Sequence, residues 1–409
     1  MGDEGVLSPL GARLSLVSWN ITCRCNLHCA HCYLDAPQAP HPQELTTQEG
    51  LALLGQIAAT GPGAMVVFSG GEPLLRPDLL TLARHGAGQG LRVVIGTNGL
   101  ALNASVAHSL KKAGVAGVGI SLDSPEPSYH DAFRGMAGAW RGAVRAIAAC
   151  RQAGLDFQVQ MTVTPGNHHQ VPQMVQLAEE LGARAFNLFF LVCTGRGQQL
   201  TDISPRDYEA TLAYLADCSS PIMVRARCAP HFFRVARARG KDNGGQASAG
   251  CLAATSYCRI TCQGELTPCP YLPLSVGNVR EKSFLHLWNH SPLFQAFREA
   301  SIGGKCGHCQ YLGPCRGCRA RAYAITGDLW GEDPQCSYQP SPGEAPARSP
   351  AWSPEASQRL AKAPAFLRPL VQARVEDYAR SHGLALITPS LLEELRGRIP
   401  ASRAPRAKE

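Results

Sequence analysis

Three cysteines in the run TCRCNLHCAHCY are spaced as the ligands of an iron–sulfur cluster: Cys25, Cys29 and Cys32. Thiolates in a C-x3-C-x2-C arrangement can hold three irons of a [4Fe–4S] cube and leave the fourth iron without a protein ligand. A vacant iron can bind a cofactor or a substrate, so such a cluster can do chemistry as well as carry electrons. Zinc is the alternative, but it prefers closed tetrahedral sites of four ligands. The triplet therefore favours an open iron–sulfur cluster.

A second motif, Gly70-Gly71-Glu72-Pro73, follows the apolar run MVVFS about forty residues after these cysteines. Glycines allow the backbone to approach a ligand closely, and a carboxylate beside them can accept hydrogen bonds from an ammonium group. In isolation the same residues would be an ordinary turn, since Gly and Pro often interrupt chains. Their position after the cysteine triplet favours a role in ligand binding.

Together the two motifs resemble the radical S-adenosylmethionine (SAM) superfamily. The resemblance implies that the amine and carboxylate of SAM chelate the open iron, and that one electron from the cluster cleaves SAM to a 5'-deoxyadenosyl radical. It also implies that His31, before the third cysteine, packs beside the adenine. The other cofactor-binding residues that it implies are Gly70, Gly71, Glu72, Pro73, Asn98, Ser121 and Asp123. Polar residues at strand ends are otherwise turn formers and caps.

Residues 14–218 alternate short apolar runs with helical patterns, which predicts parallel strands joined by right-handed crossovers. Six strands are predicted, at residues 14–19, 65–69, 92–96, 118–122, 157–163 and 185–192, and no barrel strand is predicted after Val192. Thr46 is the expected N-cap of the first helix, and Gly154 is expected to end a later one. The predicted fold class is α/β: a partial (βα)6 radical SAM barrel with its site at the C-terminal strand ends.

A second cysteine-rich segment, residues 251–338, resembles the SPASM extension of radical SAM enzymes in the step QGELTPC and in a C-x2-C-x5-C run. That family holds two auxiliary [4Fe–4S] clusters. The resemblance assigns one cube to Cys251, Cys258, Cys269 and Cys318, and the other to Cys306, Cys309, Cys315 and Cys336. The usual last spacing is C-x3-C, whereas two residues separate Cys315 from Cys318, so the pairing of those two stays open. Two zinc sites would use the same eight thiols, but the neighbouring redox domain favours iron–sulfur clusters.

Residues 219–250 are expected to connect the two domains as a helix and a Gly-rich linker. Four side chains of this segment have two interpretations: Cys228, His231, Phe232 and Arg234. They could face the active site, where basic and aromatic groups suit a flat anionic substrate, or they could lie on a surface helix, which is the simpler interpretation. Arg134 could pair with the SAM carboxylate, but an exposed helical arginine is the simpler expectation.

The C-terminal part begins with a proline-rich linker at residues 339–353, followed by a small helical domain at residues 354–400. From Trp352 onward the sequence resembles the C-terminal domain of the light-independent protochlorophyllide reductase B subunit. A generic helical tail for packing or oligomer contacts is the alternative, since a likeness of fold does not establish function.

The 409 residues carry a formal net charge of +8. The thiolates and sulfides of three cubes would offset most of this charge, so no nucleic-acid partner is expected. No run approaches the about eighteen apolar residues that span a membrane, and the first ten residues lack a secretory pattern. We therefore expect a cytoplasmic protein with no membrane partner, in a compartment that keeps cysteines reduced for metal binding.

The barrel and cluster segments look most like the radical SAM enzymes of alternative haem and haem d1 biosynthesis, such as iron-coproporphyrin decarboxylase and didecarboxysirohaem deacetylase. The stretches that carry this likeness are VSWNITCRCNLHCAHCY and CRGCRARAYAITGDLWGEDPQC. The implied function is decarboxylation or deacetylation of iron porphyrinoid side chains, with an electron donor such as ferredoxin or flavodoxin. A radical SAM maturase of a ribosomally made peptide is the alternative, disfavoured because no leader-binding domain is recognisable before Leu14. A pure electron carrier would need no open iron.

Overall fold

The computed structural model describes residues 14–396 except 62, 242–249, 342–349, 364–370, 373, 374, 377, 380–383 and 385. Most of the predicted Gly-rich linker, the centre of the proline-rich linker and the last predicted residues of the helical domain therefore lie outside the described residues. The chain divides into two compact units, one holding the residues up to Gly307 with Pro314–Gln339, the other His308–Gly313 with those after Gln339. The domain limits given by the sequence stay predictions.

The first unit is built on one nine-stranded sheet. Its strands are β1 Leu16–Thr22, β2 Met65–Gly70, β3 Arg92–Thr97, β4 Gly117–Ser121, β5 Phe157–Val163, β6 Ala185–Phe190, β7 Met223–Arg227, β8 Tyr257–Ile260 and β9 Leu266–Thr267. They lie in the order β7-β6-β5-β4-β3-β2-β1-β8-β9. All neighbours are parallel except β8 and β9, so the cysteine-rich segment extends the sheet of the barrel beyond β1.

Helices connect the parallel strands. The described helices are α1 Thr47–Ala58, α2 Leu79–Gly88, α3 Ala104–Lys112, α4 Pro127–Arg134, α5 Ala139–Ala153, α6 Val171–Glu180, α7 Pro205–Asp217, α8 Phe232–Ala238, α9 Phe284–His290, α10 Pro292–Glu299, α11 Gly304–Gly307, α12 Leu312–Cys315, α13 Arg319–Thr326, α14 Pro354–Ala361 and α15 Pro389–Arg396. Thr46 and Glu49 form a capping box at the start of α1, and Gly154 ends α5 with a φ of 61°, which confirms both predicted helix limits. No helix in the described part of the chain has the length and apolar character to cross a membrane.

The sheet has one apolar and one polar face, because side chains alternate along each strand and in-register neighbours share a face. The apolar face packs under the helices and includes Val17, Trp19, Val66, Phe68, Val93, Ile95, Val118, Ile120, Val159, Met161, Phe186 and Leu188, all buried. The opposite face lines the inside of the partial barrel. It carries Asn20, Ser69, Ser121, Gln158, Gln160, Asn187, Arg225, Arg227 and Arg259. A polar ligand is therefore suited to this inner face.

The six strands predicted from the sequence are confirmed within a few residues, but the prediction that no barrel strand follows Val192 is wrong. Strand β7 pairs in parallel with β6, from Ala185 opposite Met223 to Phe189 opposite Arg227. Its sequence MVRAR alternates apolar residues with arginines. Arginines are rare in buried strands, so this pattern does not predict one. The arginines fit because they point to the polar inner face of the barrel.

The second unit has a small core of its own. Strand β10, Ala351–Trp352, pairs in parallel with β11, Leu386–Ile387. Its buried apolar side chains are Ala356, Val375, Ala379, Ile387, Leu391 and Leu395. The Ser353 hydroxyl accepts a hydrogen bond from the Ala356 N–H and caps α14. The described part of this unit is thus largely helical, as predicted.

Gly50 and Gly55 lie in α1 in different surroundings, which allows a matched test of helix packing. A Cβ added at Gly50 would lie 2.7 Å from Trp19 Cη2 and 2.9 Å from Leu82 Cδ2, whereas one at Gly55 would meet nothing within 4 Å. We expect Gly50→Ala to lower the free energy of unfolding by about 1–3 kcal/mol. Gly55→Ala should raise it by about 0.4–1 kcal/mol, because alanine restricts the unfolded chain. Urea unfolding followed by far-ultraviolet circular dichroism measures both, and effects of equal sign would contradict this packing.

Candidate active site and iron–sulfur centres

The cysteine triplet lies in the loop directly after β1. The Cys32 N–H donates to the Cys29 carbonyl oxygen at 3.3 Å, and the Leu27 N–H donates to Cys25 Sγ at 3.4 Å. Burial raises the pKa of Cys25 to about 11, and the nearby Cys29 and Cys32 thiolates add to the shift. The three thiols are thus close enough to repel one another when ionised. Iron would relieve this repulsion, since metal ligation replaces the thiol protons.

The two glycines after β2 pack directly against the backbone that leads into the triplet. The Gly71 N–H donates to the Thr22 carbonyl oxygen at 2.9 Å, and the Glu72 N–H donates to that of Arg24 at 2.7 Å. A Cβ at Gly70 would lie 2.1 Å from the Thr22 oxygen, and one at Gly71 would lie 2.0 Å from the Arg24 oxygen. Both positions therefore require glycine. The glycines were predicted to let the backbone approach a ligand closely. In the structure they let it approach the backbone of the cysteine loop.

Glu72 joins this motif to the end of β3. Its buried carboxylate accepts hydrogen bonds from the Thr97 hydroxyl at 2.7 Å, the Asn98 N–H at 2.8 Å and the Leu74 N–H at 3.1 Å. Burial raises the pKa of Glu72, and these hydrogen bonds oppose the rise. The Asn98 side chain then donates to Asn26 Oδ1, inside the cysteine loop, at 2.8 Å. A carboxylate has about four acceptor positions, so three internal bonds leave room for one donor from a ligand.

Asp123 and Arg134 form a buried ion pair beside the triplet. Arg134 Nε lies 2.6 Å from Asp123 Oδ2, and Asp123 Oδ1 accepts from the Thr162 N–H at 2.9 Å. Burial alone would raise the pKa of Asp123, but Arg134 and His130 outweigh it and hold that pKa well below its usual range. Arg134 Nη1 lies 3.8 Å from Cys29 Sγ. The expectation of an exposed Arg134 is therefore wrong, because its partner Asp123 holds it inside the barrel.

His31 is partly buried and stacks on Phe133, with ring centroids 4.3 Å apart. Burial, with a contribution from Arg134, lowers the pKa of His31 to about 3, so the ring is neutral at pH 7. Its Nδ1 atom has no hydrogen-bond partner among the described residues. A buried polar atom without a partner is costly, so this atom suits a hydrogen bond from a bound ligand. Ser121, the last residue of β4, is half-buried on the same inner face.

The cysteines of the second segment fall into two groups in the first unit. Burial raises the pKa of Cys269 well above its usual value, and the charges of Cys251 and Cys318 add to the rise. The other group consists of Cys306, Cys315 and Cys336, whose charges affect one another in the same way. Cys309 belongs to the second unit, where its Sγ accepts from the Tyr311 N–H at 3.4 Å.

Cys258 does not join either group. It lies in β8 opposite Val17 of β1, on the apolar face of the sheet, and is completely buried in the hydrophobic core. Its neighbour Tyr257 points to the opposite face and lies near Cys269. The structure therefore does not bring Cys258 to Cys251, Cys269 and Cys318.

The surroundings of these cysteines supply groups that suit an anionic cluster. The Asp333 carboxylate accepts a hydrogen bond from the Cys318 N–H at 2.6 Å and lies 3.4 Å from Arg321 Nη1, which fixes the start of α13. Arg319 is buried, and its Nε and Nη2 atoms have no partner within the described part of the chain. A Cβ at Gly317 would lie 2.6 Å from Arg319 Nη2 and 3.5 Å from Cys306 Sγ. Unpaired guanidinium N–H groups at this position suit the sulfur atoms of a cluster.

The segment after β7 is buried, so its interpretation as a surface helix is wrong. His231 is 1% exposed and its Nδ1 lies 2.8 Å from the Tyr208 hydroxyl. Arg234 forms an ion pair of 2.6 Å with Glu209. These side chains therefore pack against α7. This contact joins two separate elements, so local sequence patterns do not predict it.

The inner face of the barrel also carries arginines that the sequence did not single out. Arg227 Nε donates to Asn187 Oδ1 at 3.0 Å, and Arg259 Nε donates to Asn20 Oδ1. Arg225 lies two residues before Arg227 on the same face. Among the described residues, no carboxylate forms an ion pair with any of the three. Burial lowers the pKa of Arg227, and the positive charge of Arg225 adds to the effect. An anionic ligand would offset both the loss of solvent and the repulsion between the two arginines.

Comparison with known proteins agrees with this geometry. Residues 19–178 match the radical SAM superfamily, residues 251–319 an iron–sulfur cluster-binding domain (SPASM) and residues 352–396 the protochlorophyllide reductase 57 kD subunit. An AdoMet-dependent heme synthase of Methanosarcina barkeri is 40% identical over 338 residues, covering 80% of this chain and 97% of the relative. The chain belongs to the radical SAM superfamily.

A second relative and a solved structure support the assignment of family and fold. The Fe-coproporphyrin III synthase of Methanosarcina barkeri is 30% identical over 369 residues, covering 78% of this chain and 87% of that protein. The crystal structure of Streptococcus suis SuiB bound to S-adenosylmethionine matches with a TM-score of 0.65 at 18% identity, covering 80% of this chain and 78% of SuiB. The fold is therefore a radical SAM α/β fold built on a parallel sheet, with a SPASM extension and a helical C-terminal part.

This radical SAM enzyme binds a [4Fe–4S] cluster and SAM in its barrel and auxiliary iron–sulfur clusters in its SPASM segment. The triplet thiols, the unpartnered His31 Nδ1 and the Arg319 donors fit these groups. When bound, the barrel cluster and SAM supply a 5'-deoxyadenosyl radical. The protein holds the cysteine loop in place through Gly71, Glu72 and Asn98.

We expect Gly71→Ala to displace the cysteine loop, because the new Cβ would overlap the Arg24 carbonyl oxygen. Gly96→Ala is the matched control, since a Cβ at the end of the neighbouring β3 would have only Ser69 Oγ near it, at 3.8 Å. After anaerobic reconstitution, iron and sulfide analysis should show about four irons fewer for Gly71→Ala than for the wild type. Gly96→Ala should keep the full complement. Unchanged iron in Gly71→Ala would contradict the proposed support of the triplet.

Proposed function

We propose that this enzyme acts in haem biosynthesis and decarboxylates propionate side chains of an iron porphyrinoid, most specifically iron-coproporphyrin. Two relatives support the proposal, an AdoMet-dependent heme synthase and an Fe-coproporphyrin III synthase. The observation that carries it is the set of arginines on the inner face of the barrel, Arg225, Arg227 and Arg259, which form no ion pair with any described carboxylate. We further propose the cytoplasm as its location.

The proposed ligand assignments follow the motifs. The barrel cluster would be held by Cys25, Cys29 and Cys32, and SAM would be bound by His31, Gly70, Gly71, Glu72, Pro73, Asn98, Ser121 and Asp123. One auxiliary cluster would use Cys251, Cys269 and Cys318, and the other Cys306, Cys309, Cys315 and Cys336. Glu72 and Asp123 also accept hydrogen bonds from other residues of the protein. We therefore propose that these two carboxylates hold the neighbouring strand ends in place as well as contacting SAM.

Arg225, Arg227 and Arg259 suit the acidic edges of a porphyrinoid. Arg259 is buried and Arg225 and Arg227 are partly buried. Desolvating a cation without a counter-ion is costly, and a carboxylate of the substrate would offset that cost through charge-assisted hydrogen bonds. The amides of Asn187 and Asn20, already bonded to Arg227 and Arg259, fix the directions of the guanidinium groups. The Arg259 guanidinium lies 5.5 Å from the Tyr33 ring centroid, which limits its movement further.

The reaction balances when one electron leaves the substrate. Removal of a hydrogen atom from the β-carbon of a propionate, followed by loss of CO2, gives a vinyl group and releases one electron. The auxiliary clusters are the proposed acceptors, since fully ligated clusters transfer electrons. An external donor such as ferredoxin or flavodoxin is proposed to reduce the barrel cluster. The protein's part is to hold the propionate against the radical and to exclude water.

We expect anaerobic enzyme with SAM and a reductant to convert propionates of iron-coproporphyrin to vinyl groups. Mass spectrometry would detect the loss of CO2 and two hydrogens for each side chain. Cys29→Ala should abolish both this product and 5'-deoxyadenosine. A parallel reaction with didecarboxysirohaem tests the deacetylation alternative. If SAM is cleaved and a precursor peptide is modified while both tetrapyrroles stay intact, the enzyme is a peptide maturase and the proposal is wrong.

Arg227→Met should weaken the binding of iron-coproporphyrin about 10- to 150-fold, the value of one charged hydrogen bond of about 1.5–3 kcal/mol. Arg184→Met is the matched control, because Arg184 is exposed and pairs with Asp156 instead. Titration of the Soret band measures both affinities. The tetramethyl ester of the same porphyrin, which lacks carboxylates, should bind Arg227→Met and the wild type equally. A uniform loss for both ligands would indicate damage to the fold and not a lost ion pair.

A further inference from the structure

Three of the four thiols assigned to one auxiliary cluster lie together, and the fourth does not. Cys251 and Cys318 lie near Cys269, whereas the Cys258 side chain belongs to the opposite, apolar face of the sheet. A closed [4Fe–4S] cube needs four protein ligands. The structure therefore requires another residue for the fourth position, or leaves one iron of this cluster open.

We propose that Cys228, and not Cys258, is the fourth protein ligand of the auxiliary cluster held by Cys251, Cys269 and Cys318. This proposal rests on the assignment of that cluster to these three cysteines, made above. It does not depend on the identity of the substrate.

The register of β8 excludes Cys258. Cys258 lies opposite Val17 and Ile260 opposite Trp19, so both side chains belong to the apolar face. Moving the Cys258 thiol to the other face would need a one-residue slip of β8, which would also turn Tyr257 and Arg259 into the core. Arg259 is held in the barrel by its bond to Asn20, so this slip would break a buried contact.

The backbone departs from the regular alternation of β7 at Cys228. Cys228 follows Arg227, the last residue of the strand, and has a φ of 57°. This left-handed conformation is uncommon for a residue with a side chain and costs about 1–2 kcal/mol. Such strain persists where the surroundings fix it, often at functional sites.

One buried arginine fixes this turn and also connects it to the cluster. Arg321 Nη2 donates to the Cys228 carbonyl oxygen at 3.2 Å, and Arg321 Nη1 lies 3.4 Å from Asp333 Oδ2. The same Asp333 oxygen accepts from the Cys318 N–H at 2.6 Å. The backbones of Cys228 and Cys318 are thus joined through two buried, oppositely charged side chains.

The neighbours of the two thiols agree with this geometry. The Cys228 side chain contacts that of Tyr271, which is two residues after Cys269. Cys258 instead lies near Arg298, away from the other cysteines of the group.

Ligation by Cys228 would place this cluster next to the proposed substrate site. Cys228 is the residue after Arg227, whose guanidinium lies on the inner face of the barrel. The cluster would then be anchored to a barrel strand as well as to the SPASM segment. An electron released when a propionate held at Arg227 loses CO2 would have a short path to this cluster.

The test compares Cys228→Ala with Cys258→Val in the full chain, in a background where Cys25, Cys29 and Cys32 are alanine. That background should hold about eight irons in two auxiliary cubes. Cys258→Val, which suits an apolar position, should keep this iron, its sulfide and its electron paramagnetic resonance spectrum. Cys228→Ala should lose about half of the iron or convert one cube to a three-iron cluster. Far-ultraviolet circular dichroism checks that both variants fold.

Cys228→Ser gives a second, milder measurement. A serine oxygen can replace a thiolate ligand, so we expect the iron to stay and the resonance spectrum and reduction potential of one cluster to change. Equal iron loss in Cys228→Ala and Cys258→Val, loss in Cys258→Val alone, or an unchanged spectrum in both Cys228 variants would each overturn the proposal. None of these readouts uses a porphyrin, so failure of the proposed activity would leave this result unaffected.

Discussion

The active site depends on the packing of one backbone against another, between Gly70–Glu72 and the residues before Cys25. Two hydrogen bonds and two glycines without space for a Cβ fix the cysteine loop against the end of β2. Glu72 extends this connection to β3, and Asn98 returns it to Asn26 inside the loop. A metal-binding loop without regular secondary structure is thereby held by two strand ends. These contacts within the protein position the loop, and metal sites depend on such support from the residues around the ligands.

Side chains alternate along each strand, so one face of the sheet forms the core and the other forms the inner surface of the barrel. Apolar side chains on one face pack under the helices and stabilise the barrel, while the other face carries amides and arginines toward the interior. The same alternation places Tyr257 and Arg259 inside and Cys258 outside. A cysteine can therefore be close in sequence to metal ligands and still be a core residue. Position on the sheet, and not spacing alone, decides which thiols can reach a cluster.

The sequence allowed the motifs and local elements to be predicted, but not the contacts between distant elements. The triplet, the six strands and the caps at Thr46 and Gly154 follow from spacing, periodicity and local chemistry. Strand β7 was missed because its arginines conceal a strand that is stabilised by pairing with β6. Arg134 was expected at the surface because a carboxylate partner, Asp123, becomes its neighbour only in the folded barrel. The place of Cys228 likewise depends on Arg321, a residue of another element.

The parallel pairing of β1 with β8 has a consequence for how this chain is made. Leu16 pairs with Tyr257, so β1 leaves the ribosome about 240 residues before its second neighbour, β8. At about 5–20 residues per second, this delay lasts some tens of seconds. During that time β1 can pair with β2 on one side but presents bare N–H and C=O groups on the other, which invites association with other nascent chains. The cofactor-bearing extension thus also covers the β1 edge of the sheet. A chain that stops before residue 257 would leave the ribosome with that edge exposed and prone to aggregation.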